Sequence, residues 1–333
     1  MIHAARLTAF GQSPDSLVVS EIPPVSPGEG EVLLDMLAAP INPADINVIE
    51  GTYGELPELP ATIGNEGVGR IAAVGPGVPS LQPGQLVLPM AFGTWCSRML
   101  AKADSVIPLP DGPDPFQAAM LTVNPATAWR MLHDFASLQP GDWIIQNAAN
   151  SGVGRSVIQI AKALGWKTLN VVRRDSLCDE LLAAGADVVV TEETDLRKTA
   201  KTLCGGSRPK LALNAVGGPS ALNVANALAP GSPIVTFGAM SKQPVKIPNG
   251  LLIFQGLKFQ GFWLKRWREN APSAVLRETY ASLAALLKSG QLNTPVHKVF
   301  PLANVVEAVA EAGRDQRNGK VILDLASANL PAS

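Results

Sequence analysis

The feature that most narrows what this chain can become is an ordered alternation of segments that begins at Trp143. Strand-like stretches at Trp143 to Ala149, Lys167 to Val172, Asp187 to Thr191, Leu211 to Val216, Ile234 to Phe237 and Leu257 to Leu264 are interleaved with helix-like stretches at Gly152 to Leu164, Leu177 to Ala184 and Ala221 to Leu228. Parallel neighbours need a crossover long enough to carry the chain back, and a helix is the usual one. The pattern therefore predicts an α/β, doubly wound parallel sheet of the nucleotide-binding kind. A helical stretch from Phe116 to Leu138, interrupted near Pro125, precedes it, and another from Ala274 to Lys288, ended by Gly290, follows it.

The first hundred residues read differently. They are rich in Pro and Gly, with short β-like runs at Glu31 to Leu37, Val68 to Val74 and Gln85 to Met90, which predicts a small irregular β-rich domain. Beyond about Gln291 come strand-like Lys298 to Pro301, a helix at Val305 to Ala312 and strand-like Lys320 to Leu325. This segment is either a tail of the nucleotide domain or a return to the first domain, and we expect the return. A length of 333 residues agrees with two domains.

Composition excludes several classes. A net charge of -1 with 17% charged residues offers no basic surface for nucleic acid, and 47% hydrophobic residues argue against disorder. The three cysteines, Cys96, Cys178 and Cys204, lack metal or redox spacing. No apolar run approaches the roughly 20 residues of a membrane helix. The opening Met1-Ile2-His3-Ala4-Ala5-Arg6-Leu7 leads straight into strand-like sequence, so a cytoplasmic protein is expected.

The segment Ala149-Asn150-Ser151-Gly152-Val153-Gly154 sits between a predicted strand and helix, where small residues let backbone N–H groups approach a diphosphate. About 20 residues on, a chain that binds NADH places Asp or Glu against the ribose 2′-hydroxyl. Here stand Arg173 and Arg174, followed by Asp175. Guanidinium groups bind the extra phosphate of NADPH that a carboxylate would repel, so NADPH is the expected cofactor.

With these residues in place the chain resembles the medium-chain dehydrogenase/reductase superfamily over nearly its whole length. Zinc alcohol dehydrogenases of that superfamily carry a Cys where this chain has Asn42 and a His where it has Asn65, and His3, His133 and His297 are scattered. The donors a catalytic zinc needs are missing, so no metal is expected. Hydride addition to a conjugated carbonyl leaves an enolate, which hydrogen-bond donors and a proton can satisfy without a Lewis acid.

Within the zinc-free group the chain is most similar to the mitochondrial-type trans-2-enoyl-CoA/acyl carrier protein reductases. The resemblance rests on Ile41-Asn42-Pro43-Ala44-Asp45-Ile46-Asn47, Gly51 to Pro60, Gly64-Asn65-Glu66-Gly67-Val68-Gly69, Leu138 to Asp142, Ile145 to Gly154, Leu251 to Phe254 and Gly261 to Leu264. It implies a GroES-like catalytic domain, residues 1–115 and 291–333, around a Rossmann domain of residues 116–290. It also implies that Tyr53 donates the proton; a phenol keeps its proton at neutral pH and can protonate an enolate. Cofactor contacts implied in the same way are Asn124, Asn150, Ser151, Gly152, Val153, Arg173, Arg174, Asp175, Phe237, Gly238, Ala239, Met240, Phe262, Trp263, Leu264, Lys265 and Lys320. At Arg174 and Asp175 the chain departs from the family's usual Asp and Arg. Asn42, Thr122 and Trp263 are expected to shape the substrate pocket.

The expected reaction is hydride transfer from NADPH to C3 of a trans-2-enoyl thioester, carried on CoA or acyl carrier protein, with a proton to C2. A quinone or alkenal reductase, and a non-catalytic NADPH-binding protein, remain open as alternatives. The basic, aromatic run Lys265-Arg266-Trp267-Arg268 fits either an acidic carrier or a solvated turn. Pro233 to Met240 and Lys258 to Leu264 read as edge strands through which a homodimer would form.

Overall fold

The computed structural model describes residues 1–11, 16–314 and 317–327. The chain divides into two units, one comprising Met1–Val123, Tyr280–Lys288 and the stretch from Asn293 onward, the other Asn124–Thr279 with Ser289–Leu292.

In the second unit, Trp143–Gln146 and Leu211–Asn214 are buried at every position, as expected of central parallel strands covered on both faces. They form the middle of a six-stranded sheet in the order Val188–Thr191, Lys167–Val172, Trp143–Gln146, Leu211–Asn214, Pro233–Thr236, Lys258–Gly261. All neighbouring pairs are parallel. In domain numbering this is the order 3-2-1-4-5-6 of a doubly wound dinucleotide-binding sheet, whose direction of winding reverses between the first and fourth strands.

Two sequence expectations are corrected here. Pro233–Thr236 is not an edge, because it pairs on one side with Leu211–Asn214 and on the other with Lys258–Gly261. A doubly wound sheet grows outward strand by strand, so only the last strand added on each side keeps an open edge. The Phe116 to Leu138 stretch is two helices, Pro115–Ala118 and Asn124–Asp134, with the expected interruption near Pro125 lying just before Asn124. Proline in a first turn, where no intrahelical bond to its nitrogen is required, begins a helix. Lys265 to Arg268 form no turn; they lie in the helix Leu264–Asn270, where Lys265 approaches Glu269 at 3.9 Å.

The first unit is built around the long strand Glu31–Pro40. Antiparallel partners Val68–Val74 and Arg98–Lys102 flank it, and its C-terminal half pairs with Lys320–Asp324. The C-terminal strand thus completes the sheet begun by the N-terminal third, with Ile322 opposite Pro40. A second, three-stranded sheet of Leu17–Ile22, Ile2–Leu7 and Ala61–Thr62 packs in the same core. No helix among the described residues is long and apolar enough to cross a membrane.

Candidate active site

In the first unit the chain leaves Glu31–Pro40 and enters the helix Pro43–Glu50 with Asn42 at its N-cap. Proline at the first helical position and an acid at the third favour a start there. The Asn42 backbone N–H donates to Asp45 Oδ2 at 2.7 Å. Asp45 Oδ1 accepts from the Asn65 backbone N–H at 3.0 Å and from Asn65 Nδ2 at 2.7 Å.

The same turn opens onto a second carboxylate. Asn42 Nδ2 donates to Glu66 Oε1 at 2.6 Å, while Glu66 Oε2 accepts from Thr122 Oγ1 at 3.0 Å and from the Val123 N–H at 2.8 Å. Pairing of Lys320–Asp324 with the end of Glu31–Pro40 brings Lys320 beside this turn, and its ammonium donates to Asn42 Oδ1. Asn42, Asp45, Glu66, Thr122 and Lys320 are all buried. Burial is the main influence on the titration of Asp45, Glu66 and Lys320. It raises Asp45 from 3.8 to about 6 against the hydrogen bonds from Asn42 and Asn65, and raises Glu66 against the charge of Lys320. It lowers Lys320 from 10.5 to about 8, with Glu66 opposing.

This network bears on a metal. Asn42 Oδ1, at the position where zinc relatives have a thiolate, accepts an ammonium, and Asn65 turns its amide nitrogen toward Asp45. A divalent ion would have to share an oxygen with Lys320 and would find neither imidazole nor thiolate, so these residues do not fit zinc. Among the described residues no group of three or more His, Cys, Asp or Glu is placed to hold a metal.

Tyr53 follows the same helix, with its N–H on Asn47 O at 3.2 Å and its half-buried ring against the core of the unit. Tyr280, the other tyrosine, is fully buried and donates to the Thr122 carbonyl at 3.1 Å, a structural role.

In the second unit, parallel strands put all their C-terminal ends on one edge of the sheet. From that edge emerge 147–151, 173–175, 237–240 and 262–263, which carry most of the expected cofactor residues. Ser151 caps Gly152–Ala163, its Oγ accepting from the Gly154 N–H at 3.1 Å. Asn124, at the start of its helix, lies against Gly152, where an added Cβ would stand 3.0 Å from Asn124 Cγ. Val153 is buried under the loop. Arg173 and Asp175 are exposed and Arg174 half-buried immediately after Lys167–Val172. The Phe237 and Met240 N–H groups bond to the Asn214 and Ala215 carbonyls, which ties 237–240, including Gly238 and Ala239, to the fourth strand. The Phe262 N–H bonds to Thr236 O at 3.0 Å; Trp263 is exposed, Lys265 lies over its ring at 5.8 Å, and Leu264 is buried.

Sequence reasoning missed several residues. Asn147 and Asn214, at the ends of the first and fourth strands, bond side chain to side chain at 2.8 Å, and Asn147 Oδ1 accepts from the Ala215 N–H at 2.7 Å. Their signal was a polar residue closing an apolar run. Arg155 donates to the Asn150 carbonyl at 3.2 Å and to Glu180 at 2.8 Å, bracing the loop from behind. Asp45 and Glu66 were quoted only within motifs, although an acid three residues after an N-cap Asn is a capping pattern in its own right.

Comparison with known proteins places this geometry. Residues 28–111 match the family described as alcohol dehydrogenase GroES-like domain, and residues 152–280 match zinc-binding dehydrogenase. Rat mitochondrial enoyl-[acyl-carrier-protein] reductase is 47% identical over 84% of this chain and 77% of its own length. The Etr1p complex with NADP and crotonyl-CoA superposes with a TM-score of 0.86 at 31% identity, covering 97% of this chain and 99% of that one. A mitochondrial Etr1p/Etr2p heterodimer from Candida tropicalis gives 0.85 at 31% with the same coverage. A quinone oxidoreductase of Pseudomonas syringae gives 0.85 at 26%, covering 97% and 100%.

These relatives also correct an expectation. The curated enoyl reductases from rat, mouse, human and Arabidopsis are all named mitochondrial, which overturns the cytoplasmic location inferred from the N-terminus. The first few residues of a strand carry no address in either direction. By its identity with these reductases, and with amides in place of zinc ligands, the chain belongs to the medium-chain dehydrogenase/reductase superfamily, in its zinc-free enoyl reductase branch.

Proposed function

We propose that this protein reduces the C2=C3 double bond of trans-2-enoyl thioesters with NADPH, and that Tyr53 is its proton donor. Kinship with the enoyl reductases carries the reading. When bound, NADPH supplies the hydride that adds to C3. The chain's own residues do the rest. The amides at the start of Gly152–Ala163, with Asn150 and Ser151, hold the diphosphate at a helix N-terminus. Arg173 and Arg174 take the 2′-phosphate, and the exposure of Arg173 directly after the second strand supports that choice.

Asn124, Asp175, Phe237 to Met240, Phe262 to Lys265 and Lys320 are the remaining cofactor residues in this reading. Asn42, Thr122 and Trp263 bound the substrate. Hydride addition places negative charge on the thioester oxygen, and Tyr53 delivers a proton to C2, directly or through water, to complete the saturated product. In the catalytic domain we include residues 1–115 and 291–333, and in the NADPH domain residues 116–290. A homodimer through the open edge of Lys258–Gly261 is supported by that strand's single pairing partner among the described residues.

Tyr53→Phe tests the proton donor. Turnover of crotonyl-CoA should fall by about two orders of magnitude or more, with NADPH affinity near that of the parent. Unchanged turnover removes Tyr53 from the mechanism. A quinone-reducing role is the second reading, favoured by the Pseudomonas syringae superposition. Parallel assays with crotonyl-CoA and 1,2-naphthoquinone separate the two.

A further inference from the structure

Glu66 joins Asn42, Thr122 and Val123 within the buried network of the first unit. One oxygen faces Asn42, and through it Lys320; the other gathers the Thr122 hydroxyl and the Val123 N–H. Thr122 is held from its other side by Tyr280, whose hydroxyl donates to the Thr122 carbonyl. All of these side chains are buried, and Val123 is the last residue before the second unit begins at Asn124.

A carboxylate enclosed in protein at this cost in solvation needs compensation. Lys320 supplies the charge, and the donors of Asn42, Thr122 and Val123 fill the oxygens. These bonds fix the conformation of the stretch that carries a pocket residue, Thr122, and leads into a cofactor residue, Asn124.

We propose that Glu66 is a positioning residue of the reductase, acting through Thr122 and Val123, with Asn42 and Lys320 holding its carboxylate in register. The proposal rests on the proposed function for the roles of Thr122 and Asn124 and for the substrate in which its effect is read. Glu66→Gln is the informative variant because it keeps the shape. An amide offers only one oxygen, so it cannot serve both Asn42 and the Thr122–Val123 pair.

The experiment uses full-length protein and the variants Glu66→Gln, Glu66→Ala, Thr122→Val and the Glu66→Gln/Thr122→Val pair. Steady-state kinetics on crotonyl-CoA at saturating NADPH, NADPH affinity by fluorescence and melting temperature are measured for each. For Glu66→Gln, kcat/KM per NADPH-binding site should fall on the order of tenfold or more, while NADPH affinity changes by less than about threefold. Adding Thr122→Val should cost little further, since the two changes cut the same tie.

A kcat/KM within about twofold of the parent overturns the proposal, as does full additivity in the double variant. A loss confined to NADPH affinity, or a lower melting temperature with unchanged kcat/KM per binding site, also overturns it. If Glu66→Ala does not fold, Glu66→Gln decides alone. The parent is assayed first on crotonyl-CoA and on 1,2-naphthoquinone. A parent that reduces only the quinone removes the enoyl thioester reading, and the variants are then ranked on the quinone by the same criteria.

Discussion

Replacing Gly154 by alanine probes how closely the first helix of the nucleotide unit must approach its strand. A Cβ built there would lie 2.4 Å from the Ala149 carbonyl oxygen and 2.7 Å from both the carbonyl carbon and Cα of Ala149. Comfortable contact begins near about 3.5 Å, so the helix start must retreat by roughly 1 Å. All three obstructing atoms are backbone, and no side-chain rotation relieves them. Overpacking of this kind costs about 1–3 kcal/mol. For a unit of this size that lowers the melting temperature by roughly 2–12 °C.

The same retreat stretches the 3.1 Å bond from the Gly154 N–H to Ser151 Oγ and moves the loop amides away from the proposed diphosphate position. NADPH affinity should therefore fall by about tenfold or more. Thermal melting with and without NADPH, together with a fluorescence titration, measures both effects. Gly152→Ala is the internal control. Its nearest obstructions are the side-chain atoms of Asn124 at 3.0 to 3.2 Å, which can turn aside, so its melting temperature should stay closer to that of the parent. A Gly154→Ala protein that melts with the parent and binds NADPH as well, or a Gly152→Ala protein that loses as much stability, refutes this reasoning.

The paired variant Arg173→Ala/Arg174→Ala should weaken NADPH by about tenfold to a hundredfold, with NADH nearly unaffected; equal losses for both nucleotides would deny these residues the 2′-phosphate. Salt should weaken NADPH binding to the parent more than to this variant, because Arg173 is exposed. Burial lowers Lys320 from 10.5 to about 8, so between those values the unfolded chain holds more of this proton than the folded one. The contribution of Lys320 to stability therefore rises with pH across that window. Melting of the parent against Lys320→Met should shift in the parent's favour from pH 8 to pH 10, and a pH-independent difference would contradict the assignment.

Much of the nucleotide unit was legible because its signals are local. Lys167–Val172 has the bounds read from the sequence, and Gly152–Ala163 ends within a residue of expectation. Apolar runs bounded by glycine mark central parallel strands without reference to anything distant. The limits were also physical. Trp143–Gln146 stops before Asn147, whose side chain meets Asn214 and the Ala215 N–H, partners far away in sequence. The helices Pro43–Glu50 and Leu196–Leu203 passed unnoticed, the first hidden inside a motif quoted for its chemistry.

The site divides along the same line. Candidates defined by backbone or local position, such as Ser151, Gly152 and the arginines after the second strand, could be proposed from spacing. Those that act by meeting across the sheet could not be paired. Asn42, Thr122 and Lys320 were each singled out, but nothing in the sequence joined them through Glu66.

The sequence by itself determined the order of elements, the nucleotide loop, the basic residues after its second strand and the loss of zinc donors, because each depends on residue type at short range. Tertiary structure alone decided which strand is an open edge and that Lys320 meets Asn42, 278 residues away along the chain. It also decided that two buried carboxylates share that ammonium's neighbourhood. Such pairings depend on strand order and register, which long-range packing selects and no local pattern encodes.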